Sequence, residues 1–242
     1  MIVIPMAGRS QRFVDAGYAR PKHMLPLHGR SVFAHAVGSF AADFDRAEFL
    51  FVVRDAEAAD FVGPECEALG VARFQVAILD EPTAGQAETV ERGLDAVGAG
   101  DDDALTIFNI DTFRPGFCFP GVELMAMDGW LEVFRGGGAN WSYVRPAQGP
   151  RPAVLETAEK RPISDLCCTG LYHFARAGDF RAALHEERRA PQAAELYVAP
   201  LYNRLIRRGA AIGYRLIEPA EVVFCGVPGE YQALLNAPAS PP

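Results

Sequence analysis

The sequence predicts a three-layer α/β sandwich, a mixed and mostly parallel sheet covered by helices on both faces. Two observations carry this. Four short apolar runs, at 2–6, 49–53, 74–79 and 105–110, are continuous rather than alternating, as in strands buried on both faces. Helical patterns separate them, and such an alternation builds a parallel sheet. Three helices are predicted, over 32–41 behind Ser31, 56–69 behind Asp55 and 85–97 behind Thr83. Each has a side-chain oxygen at its N-cap, and Pro64 is expected to break the second.

The second half has a different character. Residues 116–121 and 135–138 are turn-rich, and 146–152 hold three prolines and a glycine. Runs at 130–134, 141–144, 153–157 and 169–174 predict strands of a mixed or antiparallel extension. Helices are expected over 180–189 and 193–208, with basic last turns that suit the helix dipole. The small, Pro-rich stretch 237–242 reads as a disordered tail. One folded unit over 1–236 is expected, with one half at 1–115 and the other at 116–236.

At 242 residues a single large core is the natural solution. Half the residues are hydrophobic and 22% charged, the balance of a globular protein in water. A net charge of −8 argues against nucleic acid or an anionic membrane as partner. It leaves room for a local basic cluster around a small anion. No apolar run reaches membrane-spanning length, and the apolar start lacks a basic flank and enters a Gly-Arg loop, so it reads as a strand rather than a leader. Cys66, Cys118, Cys167, Cys168 and Cys225 form no CxxC pair and read as reduced thiols. A cytoplasmic protein is expected, its oligomeric state open to a homo-oligomer.

In sandwiches of this kind ligands bind beyond the carboxyl ends of the strands, which singles out the loop after Met6 and the residue after Ile110. The first reads Ala7-Gly8-Arg9-Ser10-Gln11-Arg12-Phe13, followed by Pro21-Lys22. Small residues after a buried strand let backbone N–H groups approach phosphate oxygens. Arg12 adds a planar fork and Lys22 a point charge. The loop is neither a Walker loop nor a dinucleotide fingerprint. Without further context it also fits a plain turn with solvated basic residues.

The stretch IPMAGRSQRFVDAGYARPKHMLPLHGRSVFAHAV, residues 4–37, resembles the signature of sugar-nucleotide and related nucleotidyltransferases. The branch it is most similar to holds short, single-domain enzymes of capsule and lipopolysaccharide biosynthesis, including cytidylyltransferases. Later motifs follow in the family's order. Gly85-Gln86-Ala87 resembles the segment beside the base, Asn109-Ile110-Asp111 the N-x-D whose aspartate holds Mg²⁺, Glu159-Lys160 the pair that meets the acceptor, and Thr169-Gly170-Leu171-Tyr172 the strand along the sugar ring. A weaker echo is 226–230.

The resemblance implies a Rossmann-like fold of the nucleotide-diphospho-sugar transferase (GT-A-like) type and a reaction of a nucleoside triphosphate with a phosphorylated small molecule. It implies catalytic roles for Arg12, Lys22 and Asp111, nucleotide binding by Ala7, Gly8, Arg9, Ser10, Gly85 and Gln86, and substrate binding by Asn109, Glu159, Lys160 and Gly170. Mg²⁺ would sit on Asp111. Such chemistry brings two anions together, so it rests on positioning and on Lys, Arg and Mg²⁺ charge.

Two departures stand out. Ser10 replaces the commoner second glycine of the loop. The segment before Gly226 holds no aspartate where the family carries a second metal ligand, leaving Glu218 or Glu221 to substitute, Asp111 to act with water and phosphate, or activity to be lost. The leading expectation is NDP-sugar and pyrophosphate formation from an NTP and a sugar 1-phosphate. Three alternatives stay open. One is transfer to another phosphomonoester such as phosphocholine, whose quaternary amine would need an aromatic cage, for which Trp141, Tyr143 and Tyr172 are candidates. A second is a glycosyltransferase using Asn109-Ile110-Asp111 as a partial D-x-D. The third is a non-catalytic nucleotide-sugar binder.

Overall fold

A computed structural model describes residues 1–238 of the chain, so most of the expected tail at 237–242 lies outside the described residues. The elements run in the order β1 (Ile2–Pro5), α1 (Gln11–Asp15), β2 (Pro26–Leu27), β3 (Arg30–Ser31), α2 (Val32–Gly38), β4 (Phe49–Val53), α3 (Ala56–Leu69), β5 (Phe74–Ile78), α4 (Gln86–Ala96), β6 (Leu105–Phe108) and β7 (Thr112–Phe113). There follow α5 (Val122–Met125), β8 (Gly129–Arg135), β9 (Ser142–Pro146), β10 (Val154–Glu159), β11 (Leu166–Phe174), α6 (Ala177–Arg189), α7 (Tyr202–Arg207), β12 (Ile212–Ile217), β13 (Val223–Phe224) and α8 (Pro228–Asn236).

One mixed sheet of nine strands organises the molecule. Its N-terminal half runs β5-β4-β1-β6 with all neighbours parallel. β11 then joins β6 antiparallel and carries β9 and β8, with β10 beyond β9 and β12 parallel to β8. The continuous apolar runs explain the central position of β1 and β4. Val3, Leu50, Val52 and Ile107 point to one face, packing with Val90 and Leu94 of α4, Leu184 of α6 and Leu205 of α7. Ile2, Ile4, Phe49, Phe51 and Phe108 point to the other, against Val37 of α2 and Val62 of α3. Three layers result, as expected. No helix among the described residues is long and apolar enough to cross a membrane.

Three local expectations fail. Pro64 sits inside α3 without breaking it. Its ring removes one backbone bond, while Ala58, Val62 and Cys66 hold both sides of the proline onto the core. α4 is capped by Gly85, not Thr83, whose hydroxyl instead bonds to the Thr89 hydroxyl at 2.7 Å. The helix expected over 193–208 is only α7 behind a 3₁₀ turn, Ala199–Leu201. Pro191 and Pro200 bracket the missing turns, and the intervening chain gives its backbone to a neighbour: Leu196 donates to the Ala84 carbonyl at 3.0 Å and accepts from Ala87 N at 2.8 Å. The five cysteines are free, and only Cys118 among them is exposed.

Candidate active site

The carboxyl ends of the parallel strands open on a cavity of about 550 Å3. Ala7, Gly8 and Arg9 from the β1 loop form one wall, and Gly85 and Gln86 at the start of α4 form another. Arg54 at the end of β4, residues 79–83 after β5 and Glu195 complete it. Five of the six residues expected to meet a nucleotide therefore share one cavity. The sixth, Ser10, borders the loop as the N-cap of α1 with φ +50°. That left-handed conformation is free to glycine and costs a serine some strain, a physical reason for glycine at this place. Gly85 is required by close approach, since a Cβ there would lie 2.6 Å from the Leu196 backbone nitrogen.

Asp111 follows β6, two residues beyond Asn109. Gln86 Nε2 donates to Asn109 Oδ1 at 2.5 Å, so a cavity wall is tied directly to this strand end. Asn109 N in turn donates to the Gly170 carbonyl at 3.0 Å, and Gly170 has φ +97° and abuts the Asn109 side chain. Asp111 Oδ2 accepts a short hydrogen bond from Lys22 Nζ. Both side chains are about one-fifth exposed, 20% for Lys22 and 22% for Asp111. Lys22 opens a 3₁₀ turn behind Pro21, and His23 beside it is held at about 4 by burial and by the Lys22 and Arg54 charges. Its ring is therefore neutral near pH 7. Arg12 is exposed on α1 and makes no side-chain hydrogen bond or ion pair among the described residues.

The C-terminal return closes the site from a third side. β13 pairs with β7, and Cys225 N donates to the Asp111 carbonyl at 2.8 Å. Burial and the Asp111 carboxylate push the Cys225 thiol up to about 12, so it stays protonated. Glu221, one of the two carboxylates offered as a second metal ligand, is engaged elsewhere. Glu221 accepts from Glu218 N at 2.8 Å and lies 3.8 Å from Arg114, because both belong to one capped turn. Asp111 and Glu230 both border Gly226. A side chain at Gly226 would start 3.1 Å from Asp111 Oδ2 and 3.7 Å from Glu230 Oε2. Glu230 is partly committed, accepting from Gly226 N and Val227 N at 2.8 and 3.2 Å.

Among the described residues no three His, Cys, Asp or Glu groups converge as a metal cage. Asp111 offers one hard oxygen ligand, which suits Mg²⁺: that ion keeps waters and takes one or two carboxylates plus phosphate oxygens. A metal that needs an all-protein cage does not fit.

Glu159 and Lys160 end β10. Glu159 accepts a short hydrogen bond from Ser142 Oγ, and burial raises its carboxyl above the usual range. It faces a separate cavity of about 280 Å3 between β10 and α7, so it is not on the wall opposite Gly8 as expected. Lys160 adopts φ +53° and donates to the Tyr197 hydroxyl at 2.5 Å, its ammonium 4.7 Å above that ring. Glu195, which lines the first cavity, carries charge close enough to raise both Glu159 and Lys160. The segment 191–198 thus links the two regions. The two prolines around it were the available signal for a loop, and nothing in the spacing marked Glu195 or Tyr197. The aromatic cage is not assembled: Tyr143 and Tyr172 are buried in the core, and Trp141 packs on Phe134 and Phe224.

No family model and no curated protein matches the chain. Solved structures do. The chain is similar to the nucleoside-diphosphate-sugar pyrophosphorylase of Vibrio cholerae RC9, with 50% identity over 98% of this chain and 100% of that one, and a TM-score of 0.93. More distant structures share the fold. A UDP-glucose pyrophosphorylase complexed with UDP-glucose has 14% identity over 97% and 96% of the two chains, TM-score 0.75. A putative glucose-1-phosphate thymidylyltransferase from Bacillus anthracis has 17% identity over 99% and 96%, TM-score 0.73. With half its residues shared over essentially the full length of both chains, this protein belongs to the nucleoside-diphosphate-sugar pyrophosphorylases, a family of nucleotidyltransferases.

Proposed function

We propose that the chain joins a nucleoside triphosphate to a sugar 1-phosphate, releasing pyrophosphate and an NDP-sugar, in the cytoplasm and in the service of surface polysaccharide synthesis. One observation carries the reading. The Gly8 loop and Gln86 line one cavity, and Gln86 is bonded to the strand end that presents Asp111 to Lys22. A triphosphate held by the Gly8 loop and Ser10, its base near Gly85 and Gln86, would bring its phosphates toward Lys22, Arg12 and Asp111. Asp111 would hold Mg²⁺, which supplies positive charge at the phosphate oxygens. Lys22 offsets negative charge at the α-phosphorus as the acceptor attacks. Arg12, exposed and unpaired among the described residues, is free to meet the leaving pyrophosphate. Asn109, Gly170 and Lys160 would hold the acceptor, Lys160 at its phosphate, with the Glu159 charge acting on Lys160.

The test is a panel of NTPs, each with Mg²⁺ and with hexose 1-phosphates or phosphocholine, read as pyrophosphate release. Turnover with at least one sugar 1-phosphate is expected. Turnover with phosphocholine alone would move the substrate class, and no release with any pair would overturn the reading.

A further inference from the structure

One feature of the interior has no part in the chemistry above. Arg114 and Glu132 form an ion pair in the middle of the fold, 2% and 0% exposed. Arg114 Nε donates to Glu132 Oε1 at 2.7 Å and its terminal nitrogen to Oε2 at 3.1 Å, the two-pronged fit of a guanidinium on a carboxylate. Buried ion pairs contribute little net stability, since desolvation offsets their attraction. Stability alone therefore does not account for this one.

Its further bonds reach the segments beside Gly170 and the C-terminal return beside Asp111. Arg114 lies three residues after Asp111. Its other terminal nitrogen donates to the Glu221 carbonyl at 2.5 Å, and its backbone N–H donates to Ser39 Oγ at 2.8 Å. Glu132 Oε1 accepts from Thr169 Oγ1 at 3.2 Å, next to Gly170. Thr112 Oγ1 donates to the Thr169 carbonyl at 2.9 Å, next to Asp111. The pair thus spans the Asp111 strand end, the Gly170 strand and the C-terminal return that covers Asp111.

We propose that Arg114 and Glu132 are positioning residues for transfer: their ion pair sets the separation between the Asp111–Lys22 side and the Gly170 side of the site. The proposal rests on the function argued above. In-line attack demands correct spacing between these two sides, and a displacement of about 1 Å costs up to about a hundredfold in rate. A planar fork is needed, because a lysine cannot serve both carboxylate oxygens and the Glu221 carbonyl at once.

The test removes both charges together, because losing one leaves the other buried with only a distant counter-charge, Glu221 at 3.8 Å from Arg114 and Arg215 at 3.9 Å from Glu132. Arg114→Met with Glu132→Leu replaces the pair by apolar groups of similar volume, a change cores often accept. Arg114→Lys alone keeps the charge and serves if the double variant does not fold. Three readings are taken on full-length protein: thermal midpoint, amide exchange of peptides covering 109–113 and 168–171 against the β4 peptide 49–53, and kcat beside KM. Expected for the double variant are a near-parental midpoint, faster exchange confined to the two site peptides, and kcat lower by tenfold or more. Arg114→Lys should recover part of kcat. Unchanged exchange in the site peptides, or faster exchange with parental kcat, overturns the proposal, as does faster exchange equally in 49–53. Mn²⁺ affinity, measured without nucleotide, should also fall in the double variant. If the parent protein turns over no NTP with any acceptor, the functional reading fails by itself, and exchange and Mn²⁺ binding still decide whether the pair positions Asp111.

Discussion

Lys22→Ala separates the catalytic role proposed for Lys22 from the pairing with Asp111 that the structure shows. As a charge beside the reacting phosphate, Lys22 should be needed for rate: removing one well-placed donor in comparable sites costs about 10²–10³ in kcat. It is also the partner of Asp111, and both side chains are only about one-fifth exposed. An exposed pair contributes about 0–1 kcal/mol, whereas breaking a buried one costs about 3–5 kcal/mol. A pair of intermediate exposure falls near 1–2 kcal/mol. The sequence also allowed a solvated loop lysine, and its burial against Asp111 revises that. For a chain of this size about 1–2 kcal/mol lowers the midpoint by about 2–8 °C. The deficit should be seen in EDTA and shrink in Mg²⁺, since the cation takes the lysine's place beside Asp111. Lys22→Arg should keep most of the midpoint, because it retains a cation for Asp111. It should not restore the rate, because a planar fork does not fill a point-charge position. Pyrophosphate release at saturating NTP and thermal scans with and without metal give both readings. More than a tenth of the parental rate in Lys22→Ala refutes the catalytic role, and an unchanged midpoint in EDTA refutes the pairing.

Three further outcomes follow from particular contacts. Lys160→Ala should raise KM for the phosphorylated acceptor more than for the NTP, and Tyr197→Phe should do so to a lesser degree, because it removes only the hydroxyl that holds Lys160; equal effects on both substrates would show a structural role. Gly170→Ala should destabilise by about 1–3 kcal/mol for the left-handed backbone alone and more for the clash, its Cβ falling 2.6 Å from Asn109 Cγ, with a chemical denaturation midpoint as the check. His23 and His173 are both held at about 4 by burial. Their folded pKa lies below the unfolded value, so the unfolded chain binds more protons between about pH 6.5 and 4, and stability should fall across that window as pH drops. His173→Gln should flatten the decline measured by urea titration at several pH values; an unchanged slope would remove His173 from the account.

The parallel half of the fold was legible because burial on both faces writes itself into the chain as uninterrupted apolar runs. Phe49-Leu50-Phe51-Val52-Val53 admits no solvent-facing register, and it became the strand beside β1. The site was legible where it is local. The Gly8 loop and the start of α4 are segments, and a segment carries its own composition. Partnerships between distant segments carried no such mark. Lys22 and Asp111 are 89 residues apart, and only the recurrence of family motifs put them in one site. The segment 193–198 was read as part of a helix over 193–208, and its Ala, Glu and Leu favour helix, a weak prior that tertiary contacts override. Its Leu196 backbone completes the turn at Ala84 and Ala87.

Glu132 shows where a stronger signal lay. Trp130-Leu131-Glu132-Val133-Phe134 is an apolar run with one carboxylate inside it. On a strand covered on both faces that carboxylate must be buried, and burying a charge is tolerable only with a partner. The sequence therefore demanded a cation in the interior without saying which one. The structure supplies it as Arg114, 2% exposed just beyond β7. Evolution had simpler ways to fill that space, with leucine and methionine. A charged pair that repays so little in stability and reaches the Asp111, Gly170 and Glu221 segments at once is best understood as geometry: it fixes the distance across which one phosphate must reach another.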